Sequence, residues 1–327
     1  MRHESLEDQF GRRFAYLRLS LTDVCNFRCE YCLPDGYQGT PHGFLSRAEM
    51  GRLIHHFAAL GIRKLRLTGG EPLIRRDVLD IVRDAAETPG IETLAMTTNA
   101  YRLREMAVLL REAGLHTLNI SLDSLDPENF ARITGDQRHA RVMEGIEAAI
   151  AAGFERVKIN SVLLRGLNDG EVADFVEYVR HRPITVRFIE LMRTANNGDY
   201  FGKRHVRARG IAQQLEAEGW QRQQRGGTDG PAIEFSHSDY RGRIGFITPY
   251  AAGFCDGCNR LRVTARGGLR LCLFGTGTHD LRPLLQNDQQ EAAFRESVFA
   301  ALFHKQAGHR LNEGDYGDTP HLAMTGG

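Results

Sequence analysis

Lysine is nearly missing from this sequence of 327 residues: of 42 basic residues only Lys64, Lys158, Lys203 and Lys305 are lysine, and the other 38 are arginine. An arginine is therefore weak evidence of function in this chain, and a lysine is somewhat stronger. An excess of either charge is missing too, since 42 basic against 41 acidic residues leave a net charge of +1. That balance excludes bulk attraction to nucleic acid or to a membrane surface. No apolar run approaches the roughly 18 residues of a membrane-spanning helix, and the opening MRHESLEDQFGRRF lacks the apolar stretch of a secretory leader. A cytoplasmic protein is expected, with neither nucleic acid nor membrane as a partner. Cysteine is sparse and unscattered: all six fall into two groups, Cys25, Cys29, Cys32 and Cys255, Cys258, Cys272.

The remaining composition, 42% hydrophobic and 25% charged, is that of a globular chain large enough for one big domain or two ordinary ones. From Phe14 to Met192, short β-type runs alternate with helical ones. Strands are expected at 14–21, 63–68, 92–98, 115–122, 155–163 and 184–190. Ser46-Arg-Ala-Glu49 reads as a capping box opening a helix that stops at Gly61. Gly114 and Gly153 close helices near 102–113 and 139–152 in the same way. Regular alternation of this kind means βαβ units, a parallel sheet and right-handed crossovers. Six units fall short of a full barrel, which takes about 250 residues, and the alternation breaks after Met192 at RTANNGDYFGKRH. The expected class is α/β: a partial, laterally open (β/α)6 TIM-type barrel over 1–192 and a C-terminal α+β layer over 193–327. That layer is expected to hold a helix near 206–218, short strands around the second cysteine group and two C-terminal helices.

The strands alternate where buried parallel strands normally read as continuous apolar runs. Tyr16, Arg18 and Ser20 share one face of the first strand, opposite Leu17, Leu19 and Leu21. The same split sets Lys64, Arg66 and Thr68 opposite Leu65 and Leu67, and Lys158 with Asn160 opposite Val157 and Ile159. The third strand adds Thr97, the fourth Asn119, Ser121 and Asp123, and the sixth Arg187. With the apolar faces against helices, Arg18, Lys64, Arg66, Lys158 and Arg187 converge inside the barrel. A group of buried cations calls for a polyanion.

Cys25-x3-Cys29-x2-Cys32 follows directly on the first strand. Three thiolates from one loop can hold a four-iron cluster and leave one iron open for a ligand. Zinc is the alternative, with His42 as the nearest fourth ligand. Cys255-x2-Cys258-x13-Cys272 supplies a second set of three, again open to a zinc reading through His279. Arg260 and Arg262, just past Cys258, suit an anionic substrate beside an open metal site better than a closed structural zinc.

Around the first triad the sequence resembles the radical S-adenosylmethionine superfamily, and Gly69-Gly70-Glu71-Pro72 after the second strand strengthens the likeness. With NISLDSL, RFIELM, CDGCNRLRVT, the later LCLFG and the Gly-Gly ending, it resembles the GTP 3′,8-cyclase family, molybdenum cofactor biosynthesis protein A, over nearly the whole chain. The resemblance implies that Cys25, Cys29 and Cys32 hold a [4Fe-4S] cluster that cleaves S-adenosylmethionine. It implies S-adenosylmethionine contacts from Tyr31, Gly70, Ser121 and Met192, with Glu71 as counter-charge to the methionyl amine. It assigns GTP to Arg18, Arg66, Thr97, Lys158, Arg260, Leu261 and Arg262, with Lys64 and Arg187 in addition. A second [4Fe-4S] cluster is implied on Cys255, Cys258 and Cys272, its open iron meeting the guanine base. The resemblance further implies that Gly326 and Gly327 enter the active site and join Arg260 and Arg262 as catalytic candidates. The implied reaction removes the ribose 3′ hydrogen of GTP and joins C3′ to purine C8. It gives 3′,8-cyclo-7,8-dihydro-GTP, the first step of molybdenum cofactor biosynthesis. Implied partners are an electron donor such as flavodoxin and a downstream cyclic pyranopterin monophosphate synthase, and a homodimer is among the states left open.

Two departures from the family pattern stand out. Ala100 occupies a turn where glycine is usual and positive φ is wanted, and the tail reads HLAMTGG. Two competing readings share part of the pattern. A peptide-modifying radical enzyme with an auxiliary cluster would keep the first triad and Gly-Gly-Glu-Pro but has no use for the cationic face. A non-catalytic iron-sulfur or zinc regulator leaves both unexplained.

Overall fold

The computed structural model describes residues 6–226, 229–319 and 321–325; Gly326 and Gly327 lie outside them. Six strands pair in chain order, all parallel: β1 (Tyr16–Ser20), β2 (Lys64–Thr68), β3 (Thr93–Thr98), β4 (Thr117–Ser121), β5 (Arg156–Leu163) and β6 (Ile184–Glu190). The crossovers carry α1 (Arg47–Ala59), α2 (Val78–Glu87), α3 (Leu103–Glu112), α4 (Pro127–Thr134), α5 (His139–Ala151) and α6 (Val172–Tyr178). The capping box is made as read: the Ser46 hydroxyl accepts from Glu49 N–H, and the Glu49 carboxylate accepts from Ser46 N–H. Leu17, Leu19, Leu65, Leu67 and Ile159 are fully buried in one apolar core beneath the helices. Each contributes roughly 1.5–3 kcal/mol relative to an exposed side chain, which fixes which face of every strand turns inward.

After β6 come α7 (Gly198–Arg204), α8 (Arg209–Ala217), β7 (Gln221–Arg222), β8 (Ile233–Ser236), β9 (Arg243–Ile247), β10 (Arg260–Val263), β11 (Gly268–Arg270), β12 (His279–Asp280) and α9 (Glu291–Phe303). These residues do more than cover the barrel. β9 joins β6 in parallel and β10 joins β1 in parallel, so both ends of the six-strand arc are extended by C-terminal strands. The sheet runs β12-β11-β10-β1-β2-β3-β4-β5-β6-β9-β8-β7 and does not close. The extension was hidden in the sequence because RIGFI and RLRV are short and no helix stands directly before either. A second correction concerns the C-terminus, where the described residues contain one α-helix, α9, instead of two. Beyond it only single turns form, at Leu311–Glu313 and Leu322–Met324, because Gly314 and Gly317 take left-handed φ of 84° and 66°. Among the described residues no helix is long and apolar enough to cross a membrane.

Candidate active site between two cysteine triads

The loop after β1 carries the first triad, and the Gly69-Gly70 turn after β2 holds it in place. Gly70 N–H donates to Thr22 O and Glu71 N–H to Val24 O, both at 2.8 Å. A Cβ on Gly70 would fall 2.2 Å from the Val24 oxygen, so only glycine permits this approach. Glu71 departs from its expected role. Its carboxylate is 1% exposed, lies off the cavity wall and accepts from Leu73 N–H at 2.9 Å, Thr98 Oγ1 at 2.7 Å and Asn99 N–H at 2.7 Å. Burial pushes its pKa up to about 7. It therefore knits the β2 and β3 loops together and is not a counter-charge at the cavity. Asn99 continues the brace, donating to Asn26 Oδ1 at 2.9 Å with Nδ2 4.0 Å from Cys25 Sγ. On the other side Tyr31 donates to Asp123 Oδ2 at 2.9 Å, while Asp123 Oδ1 accepts from Val162 N–H at 2.8 Å.

Burial pushes the Cys25 thiol up to about 11 and Cys32 up to about 12, and Cys29 rises well above the ordinary thiol range. The three sulfurs also oppose one another's ionisation. Three clustered thiols that resist ionisation fit a cationic centre, which would supply the positive charge their thiolates need. His42, the zinc alternative, is exposed and off the cavity wall, its carbonyl accepting from Arg266 at 2.7 Å.

The second triad has the opposite surroundings. Burial acts to raise Cys258, but Arg260, Lys305 and Arg262 together bring it down to about 7. His279 sits exposed on β12, away from the cavity. Arg260 and Arg262 line the cavity, and the Nε of each is buried without a hydrogen-bond partner. The side chain of Leu261, between them, lies on the other face of β10, fully buried in the apolar core, which leaves only its backbone for a substrate contact.

All six cysteines line one cavity together with Arg18, Lys64, Arg66, Thr97, Lys158 and Arg187. Tyr31, Gly70, Ser121 and Met192 line it as well. The parallel register sets Arg18 between Arg66 on β2 and Arg262 on β10. Burial, opposed by Tyr16 and reinforced by the neighbouring arginines, pulls Arg18 down to about 9. For Tyr16 burial alone would raise the phenol, yet Arg66, Arg18 and Lys64 outweigh it and bring it to about 7. Arg66 donates to the Tyr16 hydroxyl and to Thr97 Oγ1 at 3.3 Å. Burial, then Arg187, Arg66 and Lys64, pull Lys158 down to about 7. Arg187 has a carboxylate partner, its Nε 3.0 Å from Glu234 Oε1 on β8. Gly245 on β9 leaves room for that pair, since a Cβ there would press on both side chains.

Two residues beside the second triad escaped the sequence reading. Lys305 is buried and donates to Leu271 O, and Arg12 donates to Cys255 O at 3.3 Å. The scarcity of lysine was the one available pointer to the first; nothing marked the second among so many arginines. Ala100 does adopt the positive φ that its turn wants, 62°, with its N–H donating to Thr98 Oγ1 at 3.1 Å.

A parallel half-barrel with a three-cysteine loop after its first strand is the architecture of radical S-adenosylmethionine enzymes, and residues 19–179 match the Radical SAM superfamily. Residues 184–311 match Molybdenum Cofactor Synthesis C. The chain is 53% identical to a GTP 3′,8-cyclase of Aeromonas hydrophila over 98% of its length and 96% of that protein. It is equally 53% identical to one of Edwardsiella ictaluri, over 98% of this chain and 99% of that one. The chain belongs to the GTP 3′,8-cyclase family. Its fold is similar to that of Streptococcus suis SuiB bound to S-adenosylmethionine, with a TM-score of 0.64 at 13% identity, covering 89% of this chain and 68% of that one.

Proposed function

We propose that this chain converts GTP to 3′,8-cyclo-7,8-dihydro-GTP with S-adenosylmethionine as co-substrate, the first step of molybdenum cofactor biosynthesis. The observation that carries the reading is a single cavity in which Arg18, Lys64, Arg66 and Lys158 face both cysteine triads. A [4Fe-4S] cluster on Cys25, Cys29 and Cys32 would supply the electron that cleaves S-adenosylmethionine and so the radical that takes the ribose 3′ hydrogen. Around it Tyr31, Gly70, Ser121 and Met192 bind and orient S-adenosylmethionine. The cations of β1, β2 and β5, with Thr97, hold the nucleotide, and its triphosphate offsets charges that otherwise repel one another. Arg187 adds less, because Glu234 already answers its charge.

Cys255, Cys258 and Cys272 would hold a second cluster, which would supply an open iron for the base, and the free Nε–H groups of Arg260 and Arg262 on the same cavity are donors to the substrate. Cys32 and Cys272 both pack on one apolar group that includes Leu273, Phe274 and Leu322. That group excludes water between the two ends, which protects a reactive intermediate. Gly326 and Gly327, which lie outside the described residues, keep the catalytic role that the family resemblance implies. In this division residues 1–192 form the S-adenosylmethionine barrel and 193–327 the part that carries the second centre and the tail. The enzyme works in the cytoplasm, takes electrons from a donor such as flavodoxin, hands its product to cyclic pyranopterin monophosphate synthase and works alone or as a homodimer.

Anaerobic reconstitution tests the two-cluster reading. About eight irons per chain are expected, falling by half in Cys258→Ala with cyclisation lost and the first cluster's spectrum kept. A fully active Cys258→Ala variant would remove the second centre from the reaction.

A further inference from the structure

The second triad has a back wall as well as a mouth. Lys305 stands in that wall, 3% exposed and outside the cavity lining. Its ammonium donates to the carbonyl of Leu271, the residue before Cys272, and lies 5.2 Å from the centre of the Phe14 ring. No carboxylate of the described residues pairs with it. A buried ammonium with one carbonyl acceptor is costly unless another negative charge faces it. Cys258 and Cys272, as thiolates holding a metal centre, would face it with that charge, and both act against burial on Lys305.

Arg12 fixes the same wall from the other side. Its guanidinium donates to the carbonyls of Cys255 at 3.3 Å, Gln306 at 2.6 Å and Ala307, and Asp8 Oδ2 holds its Nε at 2.7 Å. Gly308 lies against Cys255, where a Cβ would make an ordinary van der Waals contact 3.7 Å from the sulfur. The segment 305–308 is thus tied to Cys255 through Arg12 and to Cys272 through Leu271.

We propose that Lys305, anchored by Arg12, is a positioning residue that sets the reduction potential of the metal centre on Cys255, Cys258 and Cys272. The inference rests on the reading above that this triad holds an iron-sulfur cluster. Reducing such a cluster adds one negative charge, and a fixed buried cation close to its thiolates stabilises the reduced form. At the first triad, by contrast, the charges that act most on Cys29 are Asp123 and the other two sulfurs, all of which oppose its ionisation.

The test uses the full chain with Cys25, Cys29 and Cys32 changed to Ser, which leaves the second centre as its one cluster. Midpoint potential is read by redox titration with electron paramagnetic resonance, beside iron content, in this parent and in Lys305→Met, Lys305→Gln and Lys305→Arg. Met and Gln are expected to shift the midpoint to more negative values, and Arg to restore it close to the parent. If Met loses iron, Gln decides, since it keeps a donor for Leu271 O without the charge. An unmoved midpoint in iron-loaded Gln and Met variants overturns the role of Lys305 and leaves the cluster reading standing. A parent without iron overturns the cluster reading, and this inference with it.

Discussion

Lys158 shows how much one side chain can carry in this cavity. It donates no hydrogen bond among the described residues, and burial with three neighbouring cations pulls it down to about 7. Replacing it by Ala removes a charge-assisted contact worth about 1.5–3 kcal/mol, so GTP affinity should fall between about tenfold and a hundredfold. Uncoupled cleavage of S-adenosylmethionine should persist in that variant; equilibrium binding with unchanged affinity would remove the assignment. The pH sign follows from the same shift. Bound triphosphate favours the ammonium, so affinity is fullest below about pH 7 and declines as pH rises through it. Lys158→Arg should flatten that decline, which titration calorimetry from pH 6 to 9 will show. Gly70 gives the steric counterpart. An alanine Cβ 2.2 Å from Val24 O must push the first cysteine loop aside, so Gly70→Ala should lose iron from the first triad while the second keeps its own. Full iron content in that variant would contradict the packing argument.

At the scale of elements, alternation in β1, β2, β4 and β5 was legible because leucine and isoleucine seek the helix layer and leave the cations no other face. The capping box and the glycine stops were legible for equally local reasons. What escaped depended on contacts distant in sequence: β10 against β1, β9 against β6, Glu234 answering Arg187, and Arg12 reaching Gln306. The role assigned to Glu71 from motif position alone failed on burial, its carboxylate tied into its own loop, while the Leu261 side chain turned into the core. The α3–α5 contact shows local preference losing to packing. Gly145 sits within α5, where alanine would ordinarily gain about 1 kcal/mol, but its Cβ would meet Ala100 O at 2.6 Å. That oxygen belongs to the left-handed turn at Ala100, held by Thr98, and cannot retreat cheaply. Gly145→Ala should therefore destabilise by about 1–3 kcal/mol, visible as a lower unfolding temperature; an increase would show that the turn is free to yield.

The whole molecule joins two unlike environments through one cavity. Cys29, in the first triad, lies beside the Asp123 carboxylate, whereas Cys258, in the second, lies among Arg260, Arg262 and Lys305, and the cationic face of β1, β2 and β5 lies on the cavity wall with both. Neither end explains that wall alone; the proposed nucleotide triphosphate, spanning toward the second triad, would. Formation of 5′-deoxyadenosine by the anaerobically reconstituted enzyme, under a strong reductant and read by chromatography, tests this most directly. The yield should rise with GTP and stay at the background level with ATP or a peptide. Equal yield with and without GTP would contradict the account, because the cationic cavity would then have no part in starting the reaction.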